Sequence, residues 1–229
     1  KRQVEASPAL KLPDVRVVPL LRSAWSQQDW RNYGSTSEEN ACYNYYTPGR
    51  CPCGCVATAG AQLMRYHCHP REAVEPASCL CTVDGRSTTL KMKGGVYDWS
   101  HMPLVPANGC TAQEREAIGR LTYDVGVACG MAYYSRGSSA ADYMLTKALV
   151  ENFGYANADC VVFAGGGFYE REYNYTLDRF RAAVEASLDA KLPVVLGISS
   201  GPYGHAVVAD GTDLVPGGID CQQGVVTFC

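Results

Sequence analysis

The hydrophobic pattern changes from a helical period to a strand period near residue 193. Four segments before that point carry helical spacing or capping signals and begin near residues 55, 111, 140 and 176. Beyond it, three short β-rich runs at 193–198, 205–209 and 225–228 are separated by Gly, Ser and Pro. This order predicts an α+β fold with helices and antiparallel strands in separate subdomains. We expect a functional site in the cleft between them.

The same pattern divides the chain into a leader and one large domain. Residues 1–16 have mixed polarity and Pro interruptions, so we predict an extended leader there. Residues 17–229 are predicted to form the domain, with a helical part at roughly 17–192 and a sheet part at roughly 193–229. Residues 71–110 contain only short, polar segments broken by turns.

Charge and hydropathy exclude two kinds of partner. The 229 residues carry a net charge of -3, and Lys and Arg are scattered, so we expect no nucleic-acid binding. No run approaches the roughly 18 apolar residues of a membrane helix, so we expect no membrane insertion. The chain begins without Met and without the pattern of a signal peptide, which predicts that any signal or propeptide has been removed.

Twelve cysteines are more than an ordinary cytosolic protein contains. Two interpretations remain open: an exported protein with several disulfide bonds, or a protein of a reducing compartment whose thiols are small buried hydrophobic groups. The loop-like sequence around residues 51–53 and 79–81 favours export. The sequence does not determine which cysteines would pair.

Cys55 has the local surroundings of a reactive thiol. It is the first residue of a predicted helix and follows Gly54, which lets the backbone turn sharply. The partial positive charge of a helix N-terminus lowers a thiol pKa, and the free N–H groups of the first turn suit an oxyanion. We therefore interpret Cys55 as a candidate nucleophile, although a buried unreactive thiol is a common alternative at such a position.

The chain offers four histidines as the base for this thiol. His67 and His69 lie about three helical turns from the nucleophile, or about 18 Å, which is too far. His101 lies in an aromatic-rich segment that favours a packed or surface imidazole. His205 follows a Gly-rich loop and begins a predicted strand, where a rigid scaffold can hold a ring at a cleft. We predict that His205 is the base.

Two longer segments carry a resemblance to a known family. Residues 54–67 have the sequence Gly-Cys-Val-Ala-Thr-Ala-Gly-Ala-Gln-Leu-Met-Arg-Tyr-His, which resembles the nucleophile segment of the streptopain family of bacterial cysteine peptidases. Residues 204–211, Gly-His-Ala-Val-Val-Ala-Asp-Gly, resemble the histidine segment of that family. Shorter segments also occur in family order, so the resemblance spans residues 17–211.

The resemblance implies a papain-like fold, in which a helical subdomain carries Cys55 and an antiparallel sheet subdomain carries His205. It also implies a cysteine endopeptidase that cleaves protein or peptide substrates through an acyl-enzyme, without a metal or an organic cofactor. Family members are usually secreted or extracytoplasmic zymogens with an inhibitory propeptide, and the leader resembles a remnant of one. The pocket for an apolar substrate side chain would lie near four residues: Met131, Tyr133, Gly137 and Ser138.

The chain departs from the family pattern after the histidine. The family normally has an Asn-Trp-Gly-Trp-Gly segment whose Asn orients the imidazole, and this chain has none. The corresponding region contains Asp220 and Gln222, either of which can accept from an imidazole N–H. Gly197 stands where streptopain has a Gln of the oxyanion hole, and Gln27 is the alternative donor. These departures leave open a weakened or inactive enzyme.

Three alternatives to a peptidase therefore remain. A zinc site could use the clustered cysteines at 51, 53 and 55, although their spacing is tighter than usual for zinc and would consume the nucleophile. A catalytically inactive, disulfide-stabilised binding protein could keep the same fold. An amidase or a transferase could use the same Cys-His pair on another acyl substrate.

Overall fold

The structure is a computed structural model that describes residues 17–28, 41–106, 110–162, 176–200, 203–211 and 224–228. The predicted leader, residues 1–16, lies outside these ranges. Within them the helices are α1 (Cys55–His67), α2 (Ala112–Ala128), α3 (Tyr143–Glu151) and α4 (Leu177–Asp189). The strands are β1 (Ser78–Val83), β2 (Arg86–Lys91), β3 (Ala132–Tyr133), β4 (Asp159–Val162), β5 (Val194–Ser200), β6 (Tyr203–Ala209) and β7 (Gly224–Phe228). None of the described helices is long and apolar enough to cross a membrane.

The four predicted helices are confirmed, and α2 begins with the predicted capping box. The Thr111 hydroxyl accepts from the N–H of Glu114 at 3.2 Å, and the Glu114 carboxylate accepts from the N–H of Thr111 at 2.8 Å. This reciprocal pair satisfies two of the amide groups that a helix start leaves without partners. The Thr176 hydroxyl caps α4 by accepting from the N–H of Arg179.

The main hydrophobic core lies between α1, α2 and one face of the C-terminal sheet. The apolar side of α1 is fully buried, and α1 packs against α2, β5 and β6. Val195 of β5 and Ala206 of β6 belong to this same core. The opposite face of the sheet packs on α4 through a second, smaller cluster that contains Phe180, Val184 and Leu196. The sheet is therefore covered by helices on both faces.

The C-terminal sheet has the strand order β4-β7-β5-β6, and every neighbouring pair is antiparallel. Its last three strands in the chain are the three predicted β-rich runs, which are thereby confirmed. β4 precedes residue 193 but joins this sheet, so the sheet also includes residues from the part predicted to be helical. The register pairs Ile198 with His205 and Gly197 with Ala206.

A β-hairpin in residues 78–91 was missed by the sequence analysis. β1 and β2 pair antiparallel around Asp84 and Gly85, whose φ angles are 47° and 78°. Asp-Gly is the preferred pair for a tight hairpin turn with two positive φ angles, so this dipeptide was the available signal. β3 then adds to β1 in parallel, and a three-stranded sheet lies within the part predicted to be helical.

A buried carboxylate joins α2 to the segment that follows β2. Asp124 is fully buried, and its oxygens accept from the N–H of Lys93 at 2.6 Å and the N–H of Gly94 at 2.9 Å. The Tyr97 hydroxyl donates a third hydrogen bond at 2.9 Å. Burial raises the pKa of the Asp124 carboxyl, and the three donors oppose that rise. The network fixes residues 93–97 against α2.

Candidate active site

The backbone turns into α1 through a conformation that only glycine accepts readily. Gly54, which precedes the helix, has φ 91° and ψ 150°, and α1 begins at the predicted residue, Cys55. A Cβ on Gly54 would lie 2.7 Å from the sulfur of Met131 and 3.1 Å from the carbonyl oxygen of Ser138. Two of the predicted pocket residues therefore pack directly against the turn that presents the candidate nucleophile.

Thr58 stabilises this turn from within the first turn of the helix. Its hydroxyl donates to the carbonyl oxygen of Gly54 at 2.9 Å and lies 3.3 Å from the sulfur of Cys53. Its backbone N–H donates to the same carbonyl at 3.0 Å. Sequence reasoning missed this residue, although a Thr four positions after the turn residue can reach back to its carbonyl. Thr58 thus holds the carbonyl that precedes Cys55.

Burial distinguishes the three neighbouring cysteines. Cys53 is fully buried, and burial raises the pKa of its thiol to about 12. Burial also raises the pKa of the Cys51 thiol. Both are therefore neutral thiols near pH 7. Cys55, in contrast, is only partly buried and stands at the N-terminus of α1.

The predicted oxyanion donor Gln27 lies beside the nucleophile turn. Its carbonyl oxygen accepts from the N–H of Cys53 at 3.0 Å, and its side chain is partly buried. The preceding residues are attached to α1 through Gln62, whose side-chain oxygen accepts from the Ser23 hydroxyl at 3.0 Å and the Trp25 N–H at 3.1 Å. Residues 23–27 therefore follow α1 towards its N-terminus.

His205 lies near the start of β6, and its side chain is exposed. The next residue, Ala206, is buried in the core that α1 forms with the sheet. Because neighbouring side chains on a strand point to opposite faces, Ala206 rather than His205 packs directly on α1. Among the described residues, no hydrogen bond joins the Cys55 thiol to the His205 ring. The structure thus packs the helix that carries Cys55 against the strand that carries His205, but the two side chains are not hydrogen-bonded to each other.

The other three histidines have partners away from Cys55. His67 is hydrogen-bonded to the Tyr155 hydroxyl at 3.1 Å, and the His69 ring meets the Tyr155 ring edge-on with 4.6 Å between centroids. His101 is partly exposed, and its Nδ1 lies 2.6 Å from the Asp98 carboxylate. Of the two roles predicted for His101, a packed or a surface imidazole, the structure shows the surface one.

The four predicted pocket residues differ in exposure. Met131 and Tyr133 are fully buried, so they form the layer behind the nucleophile turn and offer no surface to a substrate in this structure. Ser138 is almost completely buried, and Gly137 beside it is exposed. The predicted orienting residues Asp220 and Gln222 lie outside the described residues. In the described ranges, no three His, Cys, Asp or Glu side chains are grouped to hold a metal ion.

Comparison with known families decides the relationship that the motifs suggested. Residues 37–222 match the sequence model of the family described as Peptidase C10 family. The chain belongs to this family. The resemblance to the streptopain family, predicted from residues 54–67 and 204–211, is thereby confirmed.

Two curated relatives of this Peptidase C10 chain carry peptidase names. It is 27% identical to Streptopain of Streptococcus pyogenes serotype M1 over 166 residues, which cover 70% of this chain and 40% of streptopain. It is 26% identical over 212 residues to "Thiol protease/hemagglutinin PrtT" of Porphyromonas gingivalis, covering 90% of this chain and 23% of PrtT. The matches therefore span less than half the length of either relative.

A solved structure extends the likeness to the fold. The chain is similar to the active wild-type Prevotella intermedia interpain A cysteine protease, with a TM-score of 0.69 and 27% sequence identity. The match covers 86% of this chain and 77% of interpain A. The predicted α+β, papain-like fold is confirmed by this likeness together with the helices and antiparallel strands described above.

Proposed function

We propose that this Peptidase C10 chain is a cysteine endopeptidase in which Cys55 is the nucleophile and His205 is the general acid and base. One observation carries the proposal: Cys55 begins α1 immediately after the Gly54 turn, within a chain that matches a peptidase family over residues 37–222. A partly buried thiol at the start of a helix is accessible to a substrate and stands beside backbone N–H groups that can hold an oxyanion.

In the proposed reaction the Cys55 thiolate attacks the carbonyl carbon of the scissile peptide bond. The Cys55 backbone N–H and the Gln27 side chain hold the oxyanion, because the nucleophile turn and residue 27 are already joined through Cys53. Protonated His205 gives its proton to the leaving amine, which yields the thioester. His205 then removes a proton from the water that hydrolyses the thioester and regenerates the thiolate.

The proposal requires His205 to turn towards Cys55 when a substrate binds. Because Ala206 rather than His205 faces α1, this movement requires a change in the backbone at the start of β6 as well as in the exposed His205 ring. Catalytic hydrogen bonds are often long in free enzymes and shorten only in the complex with substrate. We propose Asp220 or Gln222 as the group that then orients the ring, since either side chain accepts from an imidazole N–H.

Proteins or peptides are the proposed substrates. We assign the rim of the substrate pocket to the exposed surface at Gly137 and Tyr134, with Ser138 and Met131 packed behind it against Gly54. The named relatives come from bacteria, which supports a bacterial protein of the same class. Secretion and an inhibitory propeptide partner are proposed from the family resemblance.

The test is active-site labelling with a peptidyl epoxide, followed by peptide mapping of the adduct. We expect an adduct on Cys55, with labelling slowed about 100-fold or more by His205→Ala. The matched control is His101→Ala, which also removes an imidazole, but one that is partly exposed and bonded to Asp98 away from Cys55. It should label at the rate of the parent protein.

Two results would contradict the proposal. Folded, reduced protein that forms no adduct would favour an inactive binding protein on this fold. Equal labelling of the His205→Ala variant and the parent would remove His205 from the mechanism and leave Cys55 without its base.

A further inference from the structure

Two cysteines far apart in the sequence meet beside the start of α2. The sulfur atoms of Cys42 and Cys110 lie 3.1 Å apart, although the residues are separated by 68 positions. A disulfide bond has a sulfur–sulfur distance of about 2.04 Å, so the pair stands about 1 Å from bonding distance. We propose that Cys42 and Cys110 are an oxidation site that closes to a disulfide bond when the folded protein meets a low-molecular-weight disulfide.

The backbone on the Cys42 side is already fixed against α2. The Thr122 hydroxyl donates to the carbonyl oxygen of Tyr43 at 2.6 Å. Gly119 of α2 allows the backbone around Cys42 to approach the helix closely. A Cβ at residue 119 would lie 3.0 Å from the Cys42 carbonyl oxygen and even closer to Tyr45. Formation of the disulfide bond therefore needs only a small adjustment of the two cysteine side chains, because the segment that carries Cys42 already packs against α2.

The Cys110 side of the pair is accessible to an oxidant. Cys110 is partly buried, directly precedes the helix cap Thr111, and stands where the dipole of α2 favours negative charge. The hydrogen bond with Cys42 and the nearby Arg115 lower the pKa of the Cys110 thiol, against the effects of burial and Glu114. Cys42 is 6% exposed, and both the hydrogen bond and burial raise its pKa. Cys110 is thus the attacking thiol and Cys42 the resolving one.

The chemistry balances with a disulfide as the two-electron oxidant. The Cys110 thiolate attacks one sulfur of oxidised glutathione, forming a mixed disulfide and releasing one glutathione thiolate. Cys42 then transfers its proton to that thiolate and attacks the sulfur of Cys110. The second glutathione leaves as a thiolate and takes a proton from water. Two protein thiols are oxidised to one disulfide, and one glutathione disulfide is reduced to two thiols.

Other thiols of the described residues have different partners, which favours the pairing of Cys42 with Cys110. The Cys53 sulfur contacts the Thr58 hydroxyl, the Cys81 sulfur donates to the Val127 carbonyl, and the Cys68 sulfur lies 3.3 Å from the Arg65 guanidinium. The loop closed by the new bond would contain Cys55 and the whole of α1. It would fasten the segment before the nucleophile helix to the start of α2 and restrict the unfolded chain.

The test uses the Cys55→Ala protein, so that the candidate nucleophile takes no part in the chemistry. The folded protein is incubated with oxidised glutathione, residual thiols are alkylated, and the digest is mapped without reduction. We expect a Cys42–Cys110 linked peptide and a melting temperature at least about 5 °C above that of the reduced protein. The reductant-sensitive rise should vanish in Cys110→Ser and persist in Cys68→Ser, a matched loss of a partly buried thiol.

Recovery of Cys42 and Cys110 as alkylated thiols, or linked to any other cysteine, would overturn the proposal. A stable mixed disulfide of glutathione on Cys110 alone would also overturn it, because Cys42 would have failed to resolve it. The peptide map of the protein with both cysteines intact decides the question even if Cys110→Ser folds poorly. The outcome is independent of peptidase activity, since no active nucleophile is present.

Discussion

The sulfur atom of Met131 lies 2.7 Å from the position that a Cβ on Gly54 would occupy. The Ser138 carbonyl oxygen lies 3.1 Å from the same point, and the backbone of Gly54 has φ 91°. Both the local conformation and the packing therefore require glycine at this position. The turn that presents Cys55 thus depends on residues more than 70 positions later in the chain.

Replacement of Gly54 by Ala should destabilise the protein and impair the proposed site. We expect a loss of about 2–6 kcal/mol in the free energy of unfolding, from backbone strain of about 1–3 kcal/mol and crowding of about 1–3 kcal/mol. Gly85→Ala is the matched control, because Gly85 also has a positive φ but nothing lies within 4 Å of its Cβ position. It should cost only about 1 kcal/mol.

Denaturant-induced unfolding measures the loss of stability in the Gly54→Ala and Gly85→Ala variants. Epoxide labelling of Cys55 measures the effect of each substitution on the proposed site. Equal destabilisation by the two substitutions would show that the contacts of Met131 and Ser138 with Gly54 contribute nothing.

Thr58→Val should loosen the nucleophile turn, because it keeps the shape of the side chain but removes the hydroxyl bonded to the Gly54 carbonyl. We expect a loss of about 1–2 kcal/mol in stability. We also expect slower epoxide labelling of Cys55, with the loss in kcat exceeding any change in KM on a peptide substrate. Thr58→Ser restores the hydroxyl and should restore most of the labelling rate. A Val variant that labels at the parental rate would limit Thr58 to a structural role.

Tyr97→Phe should destabilise the fold more than Tyr123→Phe. The Tyr97 hydroxyl is buried and donates to the Asp124 carboxylate, whereas the partly buried Tyr123 hydroxyl donates to the Lys91 carbonyl at 3.2 Å. Hydrogen bonds to charged groups contribute about 1.5–3 kcal/mol, against about 1 kcal/mol for neutral partners. Chemical denaturation of the two single variants compares them directly. The reverse order would contradict the proposed importance of the buried network.

Asp124 should also make stability depend on pH. Burial raises the pKa of this carboxyl above its ordinary value of 3.8, so the folded state favours the protonated form. The resulting stabilisation is fully present below the ordinary pKa and is lost as the pH rises through the higher pKa of the folded protein. The stability of the parent relative to Asp124→Asn should therefore fall as the pH rises above the ordinary carboxyl pKa of 3.8.

The measurement is the free energy of unfolding of both proteins at each pH, since the Asn side chain does not titrate. A parent protein whose relative stability increases with pH would show that the donors on Lys93, Gly94 and Tyr97 outweigh burial and lower this pKa.

Local signals predicted much of the secondary structure. The capping box at Thr111 and the cap at Thr176 fixed two helix starts, and the Gly-Cys step at residues 54–55 fixed a third. These signals act within one helical turn, so they are visible in a single sequence. The hairpin at Asp84 and Gly85 was equally local and was missed only because its short, polar strands were taken for irregular structure.

The candidate site was predicted in part. The motifs pointed to Cys55 and His205, and the family resemblance implied a substrate pocket near Met131 and Ser138. The motifs did not reveal that Thr58 holds the turn, that Tyr133 is buried behind it, or that His205 is exposed beside the buried Ala206. These properties depend on contacts between distant segments and on side-chain exposure.

The sequence by itself determined the family, the order of helices and C-terminal strands, and the helix that begins at Cys55, because motif identity and helix capping are local properties of the chain. Only the tertiary structure decided that β4 joins the C-terminal sheet, that Met131 packs against Gly54, and that the Cys42 and Cys110 sulfur atoms lie 3.1 Å apart. Those pairings depend on how α1, α2 and the sheet pack together. Since packing joins residues that many other positions separate, no local pattern specifies it.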